Sequence, residues 1–449
     1  MAVLDDDPTG SQAVHDVQVV TVLEEDVYEA ALSGVAATCF VLTNTRSLDE
    51  PAAVELNTLA ARGLMAVAER RGARLQFVSR GDSTLRGHVM AEVAALQAVR
   101  REMLGSGFDG VLLVPAFLEA GRLTAADIHW ARIGSALVPV GATEFARDST
   151  FGYTASDLRD FLTEKSGGAI GRDDVHSIGL PDIRLGGPSR VCELLTGVRD
   201  GAWVVVNATE YSDLDTVANG VLAAERAGKS FLFRTGPSFV RALSGLGPKA
   251  PLRGQEIWPS GRRGGHGLIV VGSHVSQTSR QVAALRARGG TTDIELDVPA
   301  IMSGAGDVVP ATARQVTDAL RQSDVLLYTS RSLYTGQTGA AGGDGADSLA
   351  IARTVSDALS RTVREALAAK PAWIIAKGGI TSHDVARRGL GIRRAEVAGQ
   401  LFPGVISVFR PIDAAPEAIG MPYVVFAGNV GDDGTLAQVV AILKGEEDC

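Results

Sequence analysis

The sequence predicts an α/β protein of two three-layer domains, each built on a mainly parallel β-sheet. Short β-branched runs alternate with alanine-rich segments of helical period along the 449 residues, and this alternation is typical of strand–helix–strand units. Most of the runs are apolar at nearly every position, as expected for strands that are buried on both faces of a parallel sheet. The length also favours two domains, because one domain usually spans about 100–200 residues.

The individual elements follow from these runs and from the segments between them. Runs predicted to be strands include Val17–Leu23, Ala37–Leu42, Val111–Pro115, Trp203–Asn207, Leu268–Val271, Val325–Tyr328, Trp373–Ala376 and Val424–Ala427. Segments predicted to be amphipathic helices include Val54–Arg71, Val89–Leu104, Ser276–Arg288 and Ile351–Ala369.

The best candidate for a domain boundary is a stretch rich in Gly, Pro and Arg over residues 247–267. It has no periodic pattern, so we predict a linker between an N-terminal domain, residues 1–246, and a C-terminal domain, residues 268–449. A second glycine-rich stretch, Gly336–Gly345, is too short for a linker and is predicted to be a mobile loop near a site.

Composition and charge argue against several classes of function. The formal net charge is −9, and an acidic surface repels phosphate backbones, so we expect no nucleic-acid partner. A small anionic substrate is compatible, because a basic pocket can lie on an acidic protein. No apolar run reaches the ~18 residues that a membrane span needs, and the N-terminus lacks the basic segment of a signal peptide. We therefore expect a cytoplasmic protein with no membrane partner, and a homo-oligomer is compatible with the sequence.

Several familiar motifs are incomplete. The three cysteines lie far apart and form no CxxC pair, so neither a disulfide framework nor a cysteine-zinc site is expected. The seven histidines include no H-E-x-x-H motif. Residues 227–230 resemble the end of a P-loop, but Ala223 stands where that motif needs its first glycine, and no G-x-G-x-x-G follows a strand.

Two polar clusters follow apolar runs in the N-terminal half. Asp5–Ser11 places three adjacent carboxylates in a turn after a strand, where open α/β sheets bind ligands. Ser79–His88 combines Asp82, two hydroxyls and Arg86 ahead of a helix. The Asp and the hydroxyls can hydrogen-bond to a polyol, and Arg86 can bind a carboxylate with two hydrogen bonds. The alternatives are a solvated acidic turn and a helix cap.

Three clusters of small residues follow strands in the C-terminal half: Gly272–Thr278, Lys377–Asp384 and Gly428–Asp433. Small residues allow a backbone to approach a phosphate group or an adenine ring closely. In the second cluster, Lys377 precedes two glycines and two hydroxyls, a combination that favours a phosphate-binding loop. The alternatives are a glycine-rich turn with a Ser or Thr cap and, for the third cluster, a solvated acidic turn instead of magnesium ligands.

Taken in order, these motifs resemble those of the four-carbon acid sugar kinase family, over essentially the whole chain. Its Asp-Asp-x-Thr-Gly and Asp-Ser-Thr-Leu-Arg-Gly patterns match Asp6–Gly10 and Asp82–Gly87. Where many members have a Lys just upstream of the second pattern, this chain has Arg80. Further segments that resemble the family are Pro115–Arg122, Glu144–Asp148, Gly272–Ser276, Gly378–Ser382 and Gly428–Gly431.

The resemblance implies an N-terminal domain that binds a sugar acid, a C-terminal domain that binds ATP, and an active site in the interdomain cleft. It implies transfer of the γ-phosphate of ATP, with Mg²⁺, to the terminal hydroxyl of a threonate, erythronate or 3-oxo-tetronate type of substrate. The ATP contacts that it implies are Ser273 or Ser276, Gly378, Gly379, Ile380, Thr381 and Gly428.

For the chemistry, we expect Asp6, Asp7 and Asp82 to hold substrate hydroxyls, and one of the three to accept the proton of the attacking hydroxyl. Arg86 would bind the substrate carboxylate or the transferring phosphoryl group and completes the predicted catalytic set. Thr9, Ser83 and Thr84 complete the predicted substrate site. Magnesium would bridge the phosphates and be held partly by ATP itself.

Two other functions fit the same fold, because a fold does not determine a function. One is a non-catalytic regulatory protein that binds a sugar acid without ATP turnover. The other is a dehydrogenase or aldolase that acts on the same metabolite and uses no ATP.

Overall fold

The computed structural model describes residues 1–34, 38–259, 261, 264–304, 306–330, 345–402 and 404–446. They form two compact units, Met1–Lys249 and Ala250–Cys449, and each unit is an α/β structure with a mostly parallel sheet, as predicted. Of the predicted loop Gly336–Gly345, only Gly345, the first residue of a helix, lies within the described residues.

The N-terminal unit contains one large parallel sheet and one small antiparallel sheet. The large sheet has the strand order β2-β3-β1-β4-β11-β5-β10-β9, and β6, β7 and β8 form the small one. The strands are β1 (Ala2–Asp5), β2 (Val17–Val20), β3 (Cys39–Leu42), β4 (Phe77–Arg80), β5 (Gly110–Val114), β6 (Arg122–Ala125), β7 (Ile128–Ile133), β8 (Ala136–Pro139), β9 (His176–Ile178), β10 (Ala202–Val206) and β11 (Phe231–Thr235).

Helices cover this sheet because alternate strand residues on both faces are apolar and buried. On one face, Leu4 and Phe77 pack with residues of helices α1–α4 in a single core cluster. On the other face, Val3 and Val78 are equally buried, and α8 packs against β4 and β11. The helices are α1 (Glu25–Ala31), α2 (Glu50–Arg70), α3 (Val89–Leu104), α4 (Leu158–Lys165), α5 (Leu180–Arg184), α6 (Gly187–Gly197), α7 (Tyr211–Arg226) and α8 (Pro237–Leu243).

The C-terminal unit has a mixed sheet with the order β13-β14-β12-β15-β18-β17-β16. The first five strands are parallel, and the last two form an antiparallel hairpin that pairs with β18. The strands are β12 (Leu268–Val271), β13 (Thr291–Leu296), β14 (Asp324–Thr329), β15 (Ile374–Lys377), β16 (Arg394–Phe402), β17 (Ile406–Asp413) and β18 (Tyr423–Phe426). The helices are α9 (Ser276–Arg288), α10 (Val298–Met302), α11 (Val308–Ala319), α12 (Gly345–Ala366), α13 (Gly379–Asp384) and α14 (Thr435–Lys444).

The segment predicted to be a linker contributes to the core of the C-terminal unit. Leu252, Ile257 and Trp258 are buried in one cluster with residues of β12 and β15. This part of residues 247–267 therefore packs as folded structure, and the predicted domain boundaries stay predictions. Among the helices that the structure describes, none combines the length and the apolar composition of a membrane span.

Candidate active site

The two polar clusters of the N-terminal half meet at one edge of the large sheet, because their strands are neighbours. β1 and β4 pair in parallel, and Asp5 at the end of β1 lies opposite Arg80 at the end of β4. The loops that follow these strands carry Asp6–Gly10 and Asp82–Gly87. The parallel pairing thus brings two motifs that are distant in sequence to the carboxyl-terminal edge, where α/β sheets bind ligands.

Arginine side chains hold the first three carboxylates. Arg46 donates to Asp7 Oδ2 at 3.1 Å and to Asp6 Oδ1 at 2.5 Å. Arg80 donates to Asp5 Oδ1 at 3.1 Å. The side chains of Asp5 and Asp6 are 0% and 1% exposed, whereas that of Asp7 is 26% exposed. Of these three acids, Asp7 is the one that a ligand can reach.

The pKa values of the three acids differ because burial and arginine charge act in opposite directions. Burial raises the pKa of Asp5 to about 7, in spite of the Arg80 charge. Burial likewise raises the pKa of Asp6 against the charge of Arg46. Burial acts on Asp7 as well, but there the charges of Arg46 and Arg80 and the hydrogen bonds from Thr9 outweigh it and lower the pKa. Asp7 is therefore ionised at neutral pH.

A second, deeper ion pair lies behind Asp6. Arg234 pairs with Glu92 and donates to Ser79 Oγ at 2.6 Å, and its Nη2 lies 3.7 Å from Asp6 Oδ2. A Cβ on Gly81 would lie 2.3 Å from the same Nη2, so the loop after β4 needs glycine there. Arg234 and Glu92 thus belong to the site, although no sequence motif predicted them.

Asp82 and Arg86 form a pair at the second loop. Asp82 Oδ2 accepts hydrogen bonds from Arg86 Nε at 2.6 Å and from the Thr84 hydroxyl. Burial acts to raise the pKa of Asp82, but the charges of Arg46 and Arg86 outweigh it and hold the pKa well below its usual value. Asp82 is therefore ionised at neutral pH, and its carboxylate orients Arg86.

The small antiparallel sheet and the segment after it support this loop from outside the motif. His129 Nε2 lies 2.8 Å from the Ser83 carbonyl oxygen and Nδ1 lies 2.9 Å from Thr124 Oγ1, so the neutral Nε2–H form satisfies both contacts. Burial lowers the pKa of His129 to about 4. Tyr153 donates to the Thr84 carbonyl at 2.6 Å. These contacts fix a loop in which Leu85 has a φ of +67°, a strained conformation for a bulky residue.

In the C-terminal unit, three predicted loops follow the neighbouring strands β12, β15 and β18 and contact one another. Gly378 has a φ of +118°, and a Cβ on it would lie 3.2 Å from both Ser273 Cβ and Thr381 Oγ1. A Cβ on Gly428 would lie 2.7 Å from Ser273 Oγ, and one on Gly272 2.3 Å from Thr381 Oγ1. The loops therefore approach at distances that favour glycine.

The structure brings together some of the predicted nucleotide contacts. Ser273, Gly378, Thr381 and Gly428 belong to the packed group just described, and Gly379 begins α13 beside it. Ile380, in the first turn of α13, exposes 51% of its surface. Ser276 is exposed at the start of α9 and has no contact with the group among those observed in the described residues.

The sequence suggested that Lys377 presents its charge to a phosphate group, but in the structure its ammonium group bonds to backbone carbonyls. The residue is fully buried, and Nζ donates to the carbonyl oxygens of Ala427 at 2.7 Å and Gly428 at 3.3 Å. It also lies 3.8 Å from the centroid of the Phe426 ring. Burial lowers the pKa of Lys377 to about 7. Its ammonium group therefore links β15 to the end of β18.

The acidic pair after β18 has structural partners. Asp433 pairs with Arg280 at 2.9 Å. Asp432 accepts hydrogen bonds from the Gly434 amide at 3.0 Å and from the Thr435 hydroxyl at 2.8 Å. These contacts are those of an acidic turn ahead of α14, which is one of the two structures that the sequence allows here, the other being a set of magnesium ligands.

A cavity of about 890 Å³ lies at the opposite, amino-terminal edge of the N-terminal sheet. The lysine of the incomplete P-loop motif, Lys229, lines it and bonds to Asp109 Oδ1 at 3.2 Å and to the Val198 carbonyl at 2.8 Å. Arg101 also lines the cavity and lies in the last turn of α3, where a cation complements the exposed carbonyls of a helix end. The contacts of these two cations are structural, whereas the predicted motifs lie at the other edge.

Comparison with known proteins finds a different family model for each half of the chain. Residues 1–243 match the family model described as a sugar-binding N-terminal domain, and residues 268–436 match the nucleotide-binding C-terminal domain. None of the curated proteins compared with the chain matches it significantly.

Two solved structures have the same fold. A Haemophilus influenzae protein of the DUF1537 family is 18% identical with a TM-score of 0.63, over 98% of this chain and 99% of that one. A Salmonella typhimurium LT2 protein, provisionally described as a tRNA synthase, is 17% identical with a TM-score of 0.70, over 98% of each chain. At these identities the likeness concerns the fold alone.

Proposed function

Because the chain belongs to the four-carbon acid sugar kinase family, we propose that it transfers the γ-phosphate of ATP to the terminal hydroxyl of a four-carbon sugar acid. The substrate would be of the threonate, erythronate or 3-oxo-tetronate type. The observation that carries the proposal is the edge where Asp7, Asp82 and Arg86 stand partly exposed in front of buried ion pairs. Phosphoryl transfer needs chiefly positioning and charge neutralisation, and fixed charges supply both.

In this proposal Asp7 accepts the proton of the attacking hydroxyl. Asp7 is ionised and more exposed than Asp6. Its Oδ1 accepts hydrogen bonds of 2.8 Å and 2.6 Å from the backbone amide and the hydroxyl of Thr9. A low pKa is compatible with this role, because phosphoryl transfer depends chiefly on positioning, and Asp7 would also orient the attacking hydroxyl. Asp6, which is buried, would orient Arg46.

Asp82, Ser83 and Thr84 would hold substrate hydroxyls, and Arg86 would bind the carboxylate. The Nε of Arg86 is bound to Asp82 at 2.6 Å, and its Nη1 lies 3.7 Å from Asp148 Oδ2. The substrate anion would bind at the terminal nitrogens beside this second carboxylate. The support of this loop by His129 would keep these groups in place.

The C-terminal loops would bind the nucleotide through space and backbone amides. The contacts among Ser273, Gly378 and Thr381 leave no room for larger side chains, and amides at the start of a helix favour phosphate groups. The exposed side chain of Ile380 would contact the adenine ring. Lys377 would support the loops without touching ATP.

Magnesium would enter with the nucleotide. Among the described residues, no three His, Cys, Asp or Glu side chains gather as metal ligands do, and Mg²⁺ commonly binds through phosphates and water with few protein ligands. The ion would neutralise charge on the phosphates. The interdomain cleft, a cytoplasmic location and a homo-oligomer stay predictions of the sequence.

The test is ADP release by the purified protein with Mg²⁺ and ATP, across a panel of four-carbon sugar acids. We expect ADP release with at least one acid, together with a product that is heavier by one phosphoryl group in mass spectrometry. Acid binding without ADP release would support the regulatory protein instead. Conversion of an acid without ATP would support the dehydrogenase or aldolase.

A further inference from the structure

Arg122 is a cation at the start of β6, and hydrogen bonds fix the position of its backbone. Its backbone exchanges two hydrogen bonds with Phe117, with N to O distances of 2.9 Å and 3.0 Å. Gly121, with a φ of +69°, turns the chain just before it. The base of the side chain is therefore fixed before any ligand arrives, which reduces the entropic cost of binding.

The guanidinium of Arg122 has no carboxylate partner within ion-pair distance among the described residues. Its Nη1 donates to the Ala120 carbonyl at 2.7 Å, and its buried Nε has no hydrogen-bond partner. Burial lowers the pKa of Arg122. A partly buried cation without an anion is costly, and an anionic ligand would offset that cost.

Arg122 and Arg86 share one aromatic surface. Their guanidinium carbons lie 5.8 Å and 5.4 Å from the centroid of the Phe145 ring. Asp82 acts electrostatically on both arginines, but its hydrogen bond goes to Arg86. Arg86 has a second ion-pair partner, because its Nη1 lies 3.7 Å from Asp148 Oδ2. Two guanidinium groups therefore converge beside the substrate loop, and both neighbouring carboxylates pair with Arg86.

We propose that Arg122, together with Arg86, binds the carboxylate of the sugar acid and thereby makes an anionic end necessary for a good substrate. This inference rests on the proposed kinase function. Arg86 would orient the carboxylate through its terminal nitrogens, while Arg122 would supply a positive charge that no carboxylate of the described residues meets within ion-pair distance. A neutral polyol with the same hydroxyls would lack this contact.

The experiment compares wild type with Arg122→Gln and Arg122→Lys, with the acid that wild type phosphorylates. For Arg122→Gln we expect the KM for the acid to rise about 10- to 100-fold, the range for a lost hydrogen bond to a charged group. We expect kcat to stay within about threefold, because Arg122 would contact the end of the substrate that does not react. Arg122→Lys should recover part of the affinity, since it keeps the charge but loses the planar geometry.

Two controls separate recognition from folding. The inhibition constant of the matching neutral polyol, threitol or erythritol, should be equal in wild type and Arg122→Gln. Arg132, which is exposed on the neighbouring strand β7, provides a matched variant, and Arg132→Gln should keep the wild-type KM. An unchanged KM in Arg122→Gln, or an equal loss for acid and polyol, overturns the inference.

Failure of the kinase proposal gives a different result. If wild type releases no ADP with any acid, the kinase function is wrong, and calorimetric titration of the same acids still tests Arg122. Weaker binding to Arg122→Gln than to wild type then supports the inference. Equal binding, or binding to neither protein, overturns it.

Discussion

The two candidate sites differ in how they are stabilised. In the N-terminal unit the site is a network of carboxyl and guanidinium groups. Its members are Asp5, Asp6, Asp7, Asp82 and Glu92 with Arg46, Arg80, Arg86 and Arg234. In the C-terminal unit it is a close contact of glycines and hydroxyls, and its buried Lys377 bonds to backbone carbonyls. In the proposed function the protein would have to orient the sugar acid, whereas the nucleotide would bring its own charges and metal ion.

This difference predicts opposite sensitivities. Removing one partner of a buried ion pair costs about 3–5 kcal/mol, because the other charge is left unpaired. The N-terminal site should therefore respond to changes of charge at constant volume. The C-terminal site should respond to added volume at constant charge, because a Cβ on Gly428 would lie 2.7 Å from Ser273 Oγ.

The largest effect is expected for Asp7→Asn, which removes a charge and keeps the volume. If Asp7 accepts the proton, kcat should fall on the order of 10²- to 10⁴-fold with a smaller change in KM. Steady-state ADP release measures both constants. Asp215→Asn, at an exposed position on α7, is the control and should behave as wild type. A kcat close to wild type in Asp7→Asn would assign the base to Asp6 or Asp82.

In the C-terminal unit, the stability should depend on pH through Lys377. Its pKa is lowered from 10.5 to about 7, so the unfolded chain binds the proton more tightly between these values and stability falls as pH decreases. From pH 9 to pH 7, the unfolding free energy of this unit should fall by roughly 2–3 kcal/mol relative to Lys377→Met. Denaturant unfolding at both pH values measures it, and parallel changes in the two proteins would contradict the low pKa.

A smaller pH effect is expected from His129 in the N-terminal unit. Its pKa is lowered from 6.5 to about 4, so stability is lost as pH falls through this window. Between pH 6.5 and pH 5, wild type should lose roughly 2 kcal/mol relative to His129→Gln. The comparison between the two proteins removes the opposite contribution of Asp5, whose pKa is raised to about 7. No difference in slope would mean that His129 is not buried in neutral form.

The sequence predicted the elements better than their long-range pairings. The helices Val89–Leu104 and Ser276–Arg288 and the strand Leu268–Val271 have the predicted bounds, because local periodicity determines them. The antiparallel hairpin of β16 and β17 was not predicted, since pairing between strands depends on contacts that a local pattern does not contain.

The same limit applies to the site. The predicted loops follow from glycines, hydroxyls and acids that are close in sequence, whereas Arg46 comes from a loop without a distinctive pattern. Arg234 and Glu92 did leave a signal. Arg234 interrupts the apolar strand Phe231–Thr235, and Glu92 lies on the buried face of α3. A charged residue at a core position needs a partner, so these two could have been paired in advance.

The most direct test of the contrast between the sites is calorimetric titration of Gly378→Val with two ligands, a non-hydrolysable ATP analogue and the sugar acid that wild type phosphorylates. Gly378 has a φ of +118° and lies against Ser273 and Thr381, so a branched side chain should abolish binding of the analogue. The acid should bind within about twofold of wild type, because the substitution leaves the N-terminal charges untouched. A twofold change corresponds to about 0.4 kcal/mol in binding free energy. Retention of nucleotide binding, or loss of acid binding in a variant whose N-terminal unit melts as in wild type, would contradict the account.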